Sequence, residues 1–279
     1  MRNPGLARPF SEIILMASQA PNMLPMLYNG LEPLNRNVHG NYKVRTVDAV
    51  PAIGSVHAIP VTVDEFSLTQ RHFPIVFSAG ESGVPLALMG LHEGTNTFFD
   101  KDGRLLEPSV YIPAYIRRYP FMLARLSDDS DQLSLCFDPT AGVLSDEDGS
   151  AVFDGDNPST ATSEVLAFCE QFEQAGQRTA AFMQSLKESN LLMEGEVAIQ
   201  PEGAEQPFIY RGFQMIDEQK FRDLRGDELR KMNQNGTLSL IFAHLFSLTL
   251  VRDVFARQVR QGTGPAGFEA PPLPAAAEA

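Results

Sequence analysis

Short apolar runs bounded by turn residues dominate the chain up to Phe137, and apolar spacing of three and four takes over from Thr160. Tyr42 to Val47 alternates like a strand, and Val50 to Val63, punctuated by Pro51, Gly54 and Pro60, reads as extended and irregular. Val63 to His72 has room for one or two helical turns. Pro74 to Ser78 and Val84 to Leu91 are continuous apolar runs on either side of Ala79-Gly80-Glu81-Ser82-Gly83, which predicts a buried hairpin. Thr95 to Phe99 and Leu105, around Asp100 to Gly103, predict a second hairpin. Phe121 to Leu126 and Leu133 to Phe137, around Ser127 to Asp131, predict a third. Between the last two lies Val110 to Phe121, where Pro113 suits the first turn of a short helix and Pro120 ends it by pushing Tyr119 out of the α region.

The second half reads differently. Asp138 to Ser159 is acidic and turn-rich and marks an internal boundary. Thr160 to Asn190 is a long helix, because Val165, Phe168, Cys169, Phe172, Ala175, Phe182, Met183 and Leu186 share one face. Glu196 to Gln200 and Phe208 to Ile216 predict a hairpin around Pro201-Glu202-Gly203. Asp217 and Asp227 are expected to cap two short helices, Gly236 to stop the second, and Thr237 to cap a last helix running to about Arg260. The fold class expected is α+β, an antiparallel meander sheet packed with a long central helix and a C-terminal apolar helix. Residues 23–260 would form that domain, with an N-terminal extension at 1–22, Met16 and Met23 as alternative starts, and a Gly, Pro and Ala tail at 261–279. Leu238 to Val251 is too short and too interrupted by Ser239, His244, Ser247 and Thr249 for a membrane span, so it is expected as a buried helix. The run Ile13 to Ala17, fronted by Pro9 and Glu12, is too short for a signal peptide.

Charge narrows the partners. A net charge of −13 over 279 residues repels phosphates, which argues against nucleic acid and anionic membrane and for a protein or small molecule. Cys136 and Cys169 make neither a disulfide framework nor a metal spacing, which fits a reducing, cytoplasmic compartment.

Candidate chemistry is sparse. His39, His57, His72, His92 and His244 show no metal-binding spacing, and no metal or cofactor is expected. His72, just before a buried strand, and His244, in the apolar helix, are the candidate catalytic residues, each against the commoner alternative of a structural histidine. His92 is expected to be solvated. Gly80-Glu81-Ser82-Gly83 is one residue short of a nucleophile elbow, and both cysteines read as packing residues. The dense constellation is Tyr111, Tyr115, Arg117, Arg118 and Tyr119. Guanidinium forks bind carboxylates and tyrosines give flat amphipathic area, so these five are a candidate binding surface for an acidic peptide, an anionic small molecule or a second copy of the chain. The competing reading is that the tyrosines pack the helix and the arginines pair with local acids.

Met23-Leu24-Pro25 with Pro33-Leu34-Asn35, Arg71 to Phe77, Tyr111 to Phe121, and Ile241 to Leu248 occur in an order that resembles the SapC family of Gram-negative bacteria. The resemblance covers roughly 23 to 258. It implies an accessory role at the bacterial envelope, since the family name comes from a gene linked to surface-layer protein secretion and members occur beside TonB-dependent receptors and halogenase-like flavoproteins. It brings no catalytic residues with it. Two functions are therefore carried forward: an accessory protein working by protein contacts, and an enzyme or binder of an anionic ligand around His72, Tyr115, Arg117, Arg118 and His244.

Overall fold

The computed structural model describes residues 24–46, 49–80, 83–126, 132–200 and 206–264. The expected extension 1–22, the turn positions 81–82, 127–131 and 201–205, and the tail from 265 lie outside them. The first elements are β1 (Glu32–Pro33), α1 (Arg36–His39), β2 (Lys43–Val44) and β3 (Ala58–Pro60). Next come α2 (Phe66–Thr69), β4 (Ile75–Ser78), β5 (Pro85–Leu88), α3 (Ala114–Arg117), β6 (Phe121–Arg125) and β7 (Leu133–Phe137). Four two-residue strands follow: β8 (Leu144–Ser145), β9 (Ser150–Ala151), β10 (Phe153–Asp154) and β11 (Asn157–Pro158). The rest comprises α4 (Thr160–Glu188), β12 (Leu192–Ile199), β13 (Phe208–Ile216), α5 (Glu218–Arg222), α6 (Gly226–Gln234), α7 (Thr237–Ser247) and α8 (Val251–Arg260).

The α+β class holds, and all named strand pairs are antiparallel. The strands do not run on as one meander. Three hairpins, β4–β5, β6–β7 and β12–β13, are local; the main sheet then joins distant pieces in the order β12-β13-β4-β5-β3, and β1-β7-β6 form a second sheet. Every residue of β4 and β5 is buried, which is why their sequences are apolar runs rather than alternations. Phe77 of β4 touches Phe182 of α4 and stacks on His244 of α7, so both long helices reach this strand.

Some expectations are corrected. The strand at Tyr42 to Val47 shrinks to two residues, and the stretch read as irregular contains the edge strand β3, which tolerates Pro60 because an edge leaves some backbone donors unused. The second hairpin is a loop closed by a single pairing of Phe99 with Leu105. Asn96 braces this loop instead: its Nδ2 donates to the carbonyls of Ile53 and Val56, and its Oδ1 accepts from the N–H groups of Phe98 and Phe99. Asp217 caps α5 as expected, but Asp227 lies inside α6, where Arg225 holds the cap position and its N–H donates to Glu228. Thr237 opens α7 from within, after Gly236 at φ +82°, and a 3₁₀ turn at Leu248–Leu250 separates α7 from α8. The acidic stretch 138–159 is built into the fold, since β8 and β9 flank β2.

One stability test follows from close packing. A Cβ at Gly90 would collide with the Thr95 carbonyl, whereas one at Gly176, within α4, meets open space. Gly90→Ala should cost about 1–3 kcal/mol and Gly176→Ala should gain about 0.5–1 kcal/mol, read from urea midpoints.

Candidate functional site

The central segment is positioned by a buried carboxylate. Thr62-Val63-Asp64-Glu65 has the capping-box spacing and folds as one, with the Thr62 N–H donating to Glu65 Oε1 at 3.3 Å. Glu65 Oε2 accepts from the Ala114 N–H at 3.0 Å and the Tyr111 hydroxyl at 3.1 Å. One acid therefore serves its own helical turn and the start of α3, 49 residues further on. Burial pushes the Glu65 carboxyl up, and the donors with nearby Arg117 pull it back. The same turn docks on α4, where Val63 N–H donates to Thr179 Oγ1 and Arg178 pairs with Asp64.

Arg117 and Arg118 leave α3 in different directions. Arg118 is 7% exposed, with its guanidinium 4.3 Å from the Phe172 ring centroid, 4.5 Å from Tyr115 and 5.9 Å from Tyr28. Its charge is answered by Glu173 of α4 at 3.7 Å, while its Nε has no hydrogen-bond partner. Arg117 is exposed. Its side chain lies over Tyr111 and Phe168, at 5.6 and 5.1 Å, and is tethered by Nε to the Ile112 carbonyl and by Nη2 to the Tyr111 hydroxyl.

The tyrosines divide the same way. Tyr115 is buried and donates its hydroxyl to the Met26 carbonyl, and Tyr28 likewise donates to the Phe121 carbonyl, tying the N-terminal segment to the centre. Tyr119 packs edge-on to Tyr28 and hydrogen-bonds Asp138, and burial pushes its phenol up to about 12. Asp138, 1% exposed, also accepts from the Asn29 N–H. Tyr111 is half-buried between Glu65 and Arg117, its phenol pushed up to about 12 chiefly by burial, with the Glu65 charge adding to it. Of the five residues singled out as a binding surface, Tyr111 and Arg117 form a surface platform, and Tyr115, Arg118 and Tyr119 tie α3 to the N-terminal segment, α4 and Asp138.

The histidines have separate surroundings. His244 is fully buried against Phe77; its Nδ1 donates to the Ile75 carbonyl at 2.7 Å and its Nε2 accepts from the Ile216 N–H at 3.2 Å. Both ring nitrogens are used in joining β4 and β13 to α7, and burial pulls the imidazole down to about 4. His72, beyond α2, is half-buried, and burial and Arg71 lower its pKa. Neither imidazole contacts Arg117 or Arg118 among the described residues. His92, expected to be solvated, is half-buried against Phe208 with Nδ1 3.0 Å from the Gln258 amide nitrogen. Burial raises the thiols of Cys136 and Cys169 to about 11, which keeps them as packing groups.

Two features were not singled out from the sequence. A cleft of about 640 Å³ is lined by Gly80, Lys187, Asn190, Leu192 and Gln214, and Gln214 Oε1 is buried without a hydrogen-bond partner. Phe242 and Phe246 on α7 are exposed, for which their i,i+4 spacing beside the core-facing Ile241 and His244 was the available signal. Among the described residues no cluster of three or more His, Cys, Asp and Glu side chains could hold a metal ion.

Comparison with known proteins places the chain. No curated protein and no solved structure matches it. The family model described as SapC matches residues 34–254, a span that takes in Glu65, α3, α4 and α7. With that match over most of its length, the chain belongs to the SapC family.

Proposed function

We propose that this protein is an accessory factor that works from the cytoplasm through protein contacts, assisting surface-layer protein secretion or an outer-membrane, TonB-dependent uptake system. The observation that carries the reading is the Arg117 platform. An exposed guanidinium already fixed by Tyr111, Phe168 and the Ile112 carbonyl loses little freedom on meeting a carboxylate, so an acidic segment of a partner protein is what it is suited to receive. Its position on a short helix held by Glu65 gives that segment a rigid docking point.

The test is complementation in the native cell. Deleting the gene should lower surface-layer protein or TonB-dependent receptor in the envelope fraction; wild type should restore it, and an equally abundant Arg117→Ala chain should not. Unchanged levels of both protein classes in the deletion would contradict the reading. A second reading, binding of a small anionic ligand that also carries a hydroxyl or amine, finds support at the Lys187 cleft, where Lys187 meets the charge and the unpartnered Gln214 Oε1 accepts from the ligand's donor. It predicts that Lys187→Ala abolishes the rise in melting temperature given by a carboxylate or phosphate compound, and a screen giving no rise with wild type would remove it.

A further inference from the structure

Helix α7 has more apolar surface than the fold covers. Its inward side is held by His244, and by Ser247, whose hydroxyl accepts from the Ile75 N–H. On another side Phe242 and Phe246 sit one turn apart with ring centroids 5.6 Å apart, and they are 40% and 66% exposed. Phe221 of α5 packs edge-on against Phe242, and α2, which packs on α7, leaves Leu68 43% exposed. The most apolar window of Thr237–Arg260 has mean hydropathy 1.6 and is 39% buried. By length and composition this helix could cross a membrane, but its bonds to β4 and β13 make it part of the core.

The charge around this ridge says what covers it. Residues 217–260 carry eight basic and six acidic side chains, against fourteen basic and twenty-nine acidic in the rest of the chain. Two copies of so acidic a protein repel across much of their surface, and this nearly balanced region adds little to that repulsion. Its signs are also interspersed, through Glu218, Lys220, Arg222, Asp223, Arg225 and Asp227. An isologous contact sets a patch against itself and so needs both signs on one patch, whereas an anionic membrane or an acidic protein calls for one sign.

We propose that α7 is a homodimer interface, in which Phe242 and Phe246 of one copy pack across a two-fold axis against the same residues of a second copy. The two rings expose roughly 200 Å² per copy, enough for the centre of an interface but well short of the ~800 Å² per partner of a stable one. The mixed-charge surface of α5 and α6 is the rim, and the association is of the order of micromolar. This interface is independent of the Arg117 platform, so either can fail without the other.

Sedimentation equilibrium of the full chain tests it, from low micromolar to near-millimolar concentration. Wild type should rise from 30.7 kDa toward twice that mass, Arg117→Ala should follow it, and Phe246→Glu, with an unchanged circular dichroism spectrum, should need at least tenfold more protein to do so. Wild type that stays monomeric throughout, or Phe246→Glu that dimerises like wild type, overturns the proposal. So does a monomeric wild type that pellets with phosphatidylglycerol vesicles when Phe246→Glu does not, which would assign the ridge to lipid.

Discussion

Arg118→Ala is expected to destabilise the protein by about 3–5 kcal/mol, while Arg117→Ala, one residue away, should cost under about 1 kcal/mol. The difference comes from burial. Arg118 is packed among Phe172, Tyr115 and Tyr28, and removing it leaves Glu173 partly buried without its counter-charge and a void between three rings. Arg117 lies at the surface, so its removal loses only its stacking on Tyr111 and Phe168 and two exposed hydrogen bonds, to the Ile112 carbonyl and the Tyr111 hydroxyl, whose partners water can satisfy. Chemical denaturation of both variants at pH 7 checks this. Equal losses would mean that the two arginines share one role.

His244→Ala should cost a similar ~3–5 kcal/mol, because it leaves the Ile75 carbonyl and the Ile216 N–H unpaired in a dry core as well as a cavity against Phe77. His244 also predicts a pH dependence. Its folded pKa, about 4, lies below the usual 6.5, so the unfolded chain binds the extra proton first. Its contribution is therefore fully present above about pH 6.5 and is lost as pH falls through about 4, with a total of roughly 3 kcal/mol. Carboxylates titrate over part of the same range, so the measurement is the difference between wild type and His244→Gln in urea midpoints from pH 7 to 4. That difference should shrink as the pH falls, and a constant difference would show that His244 is not held neutral.

How much of this was legible depended on how local its cause was. The hairpins β4–β5 and β6–β7 and helix α4 announce themselves through apolar runs, turn residues and one apolar face, all within a few residues of each other. The junction around α3 was readable from Pro113 and Pro120. The main sheet was not, because it depends on Phe213 pairing with Ser78, 135 positions earlier, and nothing in either strand names the other. The Tyr/Arg constellation shows the same limit at the scale of one residue. Arg117 and Arg118 are equivalent in sequence, and the phase of a single helical turn, fixed by Glu65 at α3's N-terminal end, sends one to solvent and the other into the core. Glu65 itself was visible as the fourth residue of a capping box, but that spacing explains its bond to Thr62 and gives no hint of Ala114 or Tyr111. His244 and Cys169 are both buried, and the apolar positions around them, which a buried helix face requires, made that burial legible.

The proposed contact with a protein partner centres on Arg117. The measurement that tests it most directly is affinity capture from the solubilised envelope and cytosol of the native cell, comparing wild type with a folded Arg117→Ala variant by quantitative mass spectrometry. The account predicts that a discrete secretion or envelope protein is retained by wild type and depleted at least tenfold with the variant, consistent with loss of a charge-assisted contact of about 1.4 kcal/mol or more. Retention of the same protein at the same level by both would show that the partner binds elsewhere and that the Arg117 platform is part of the scaffold.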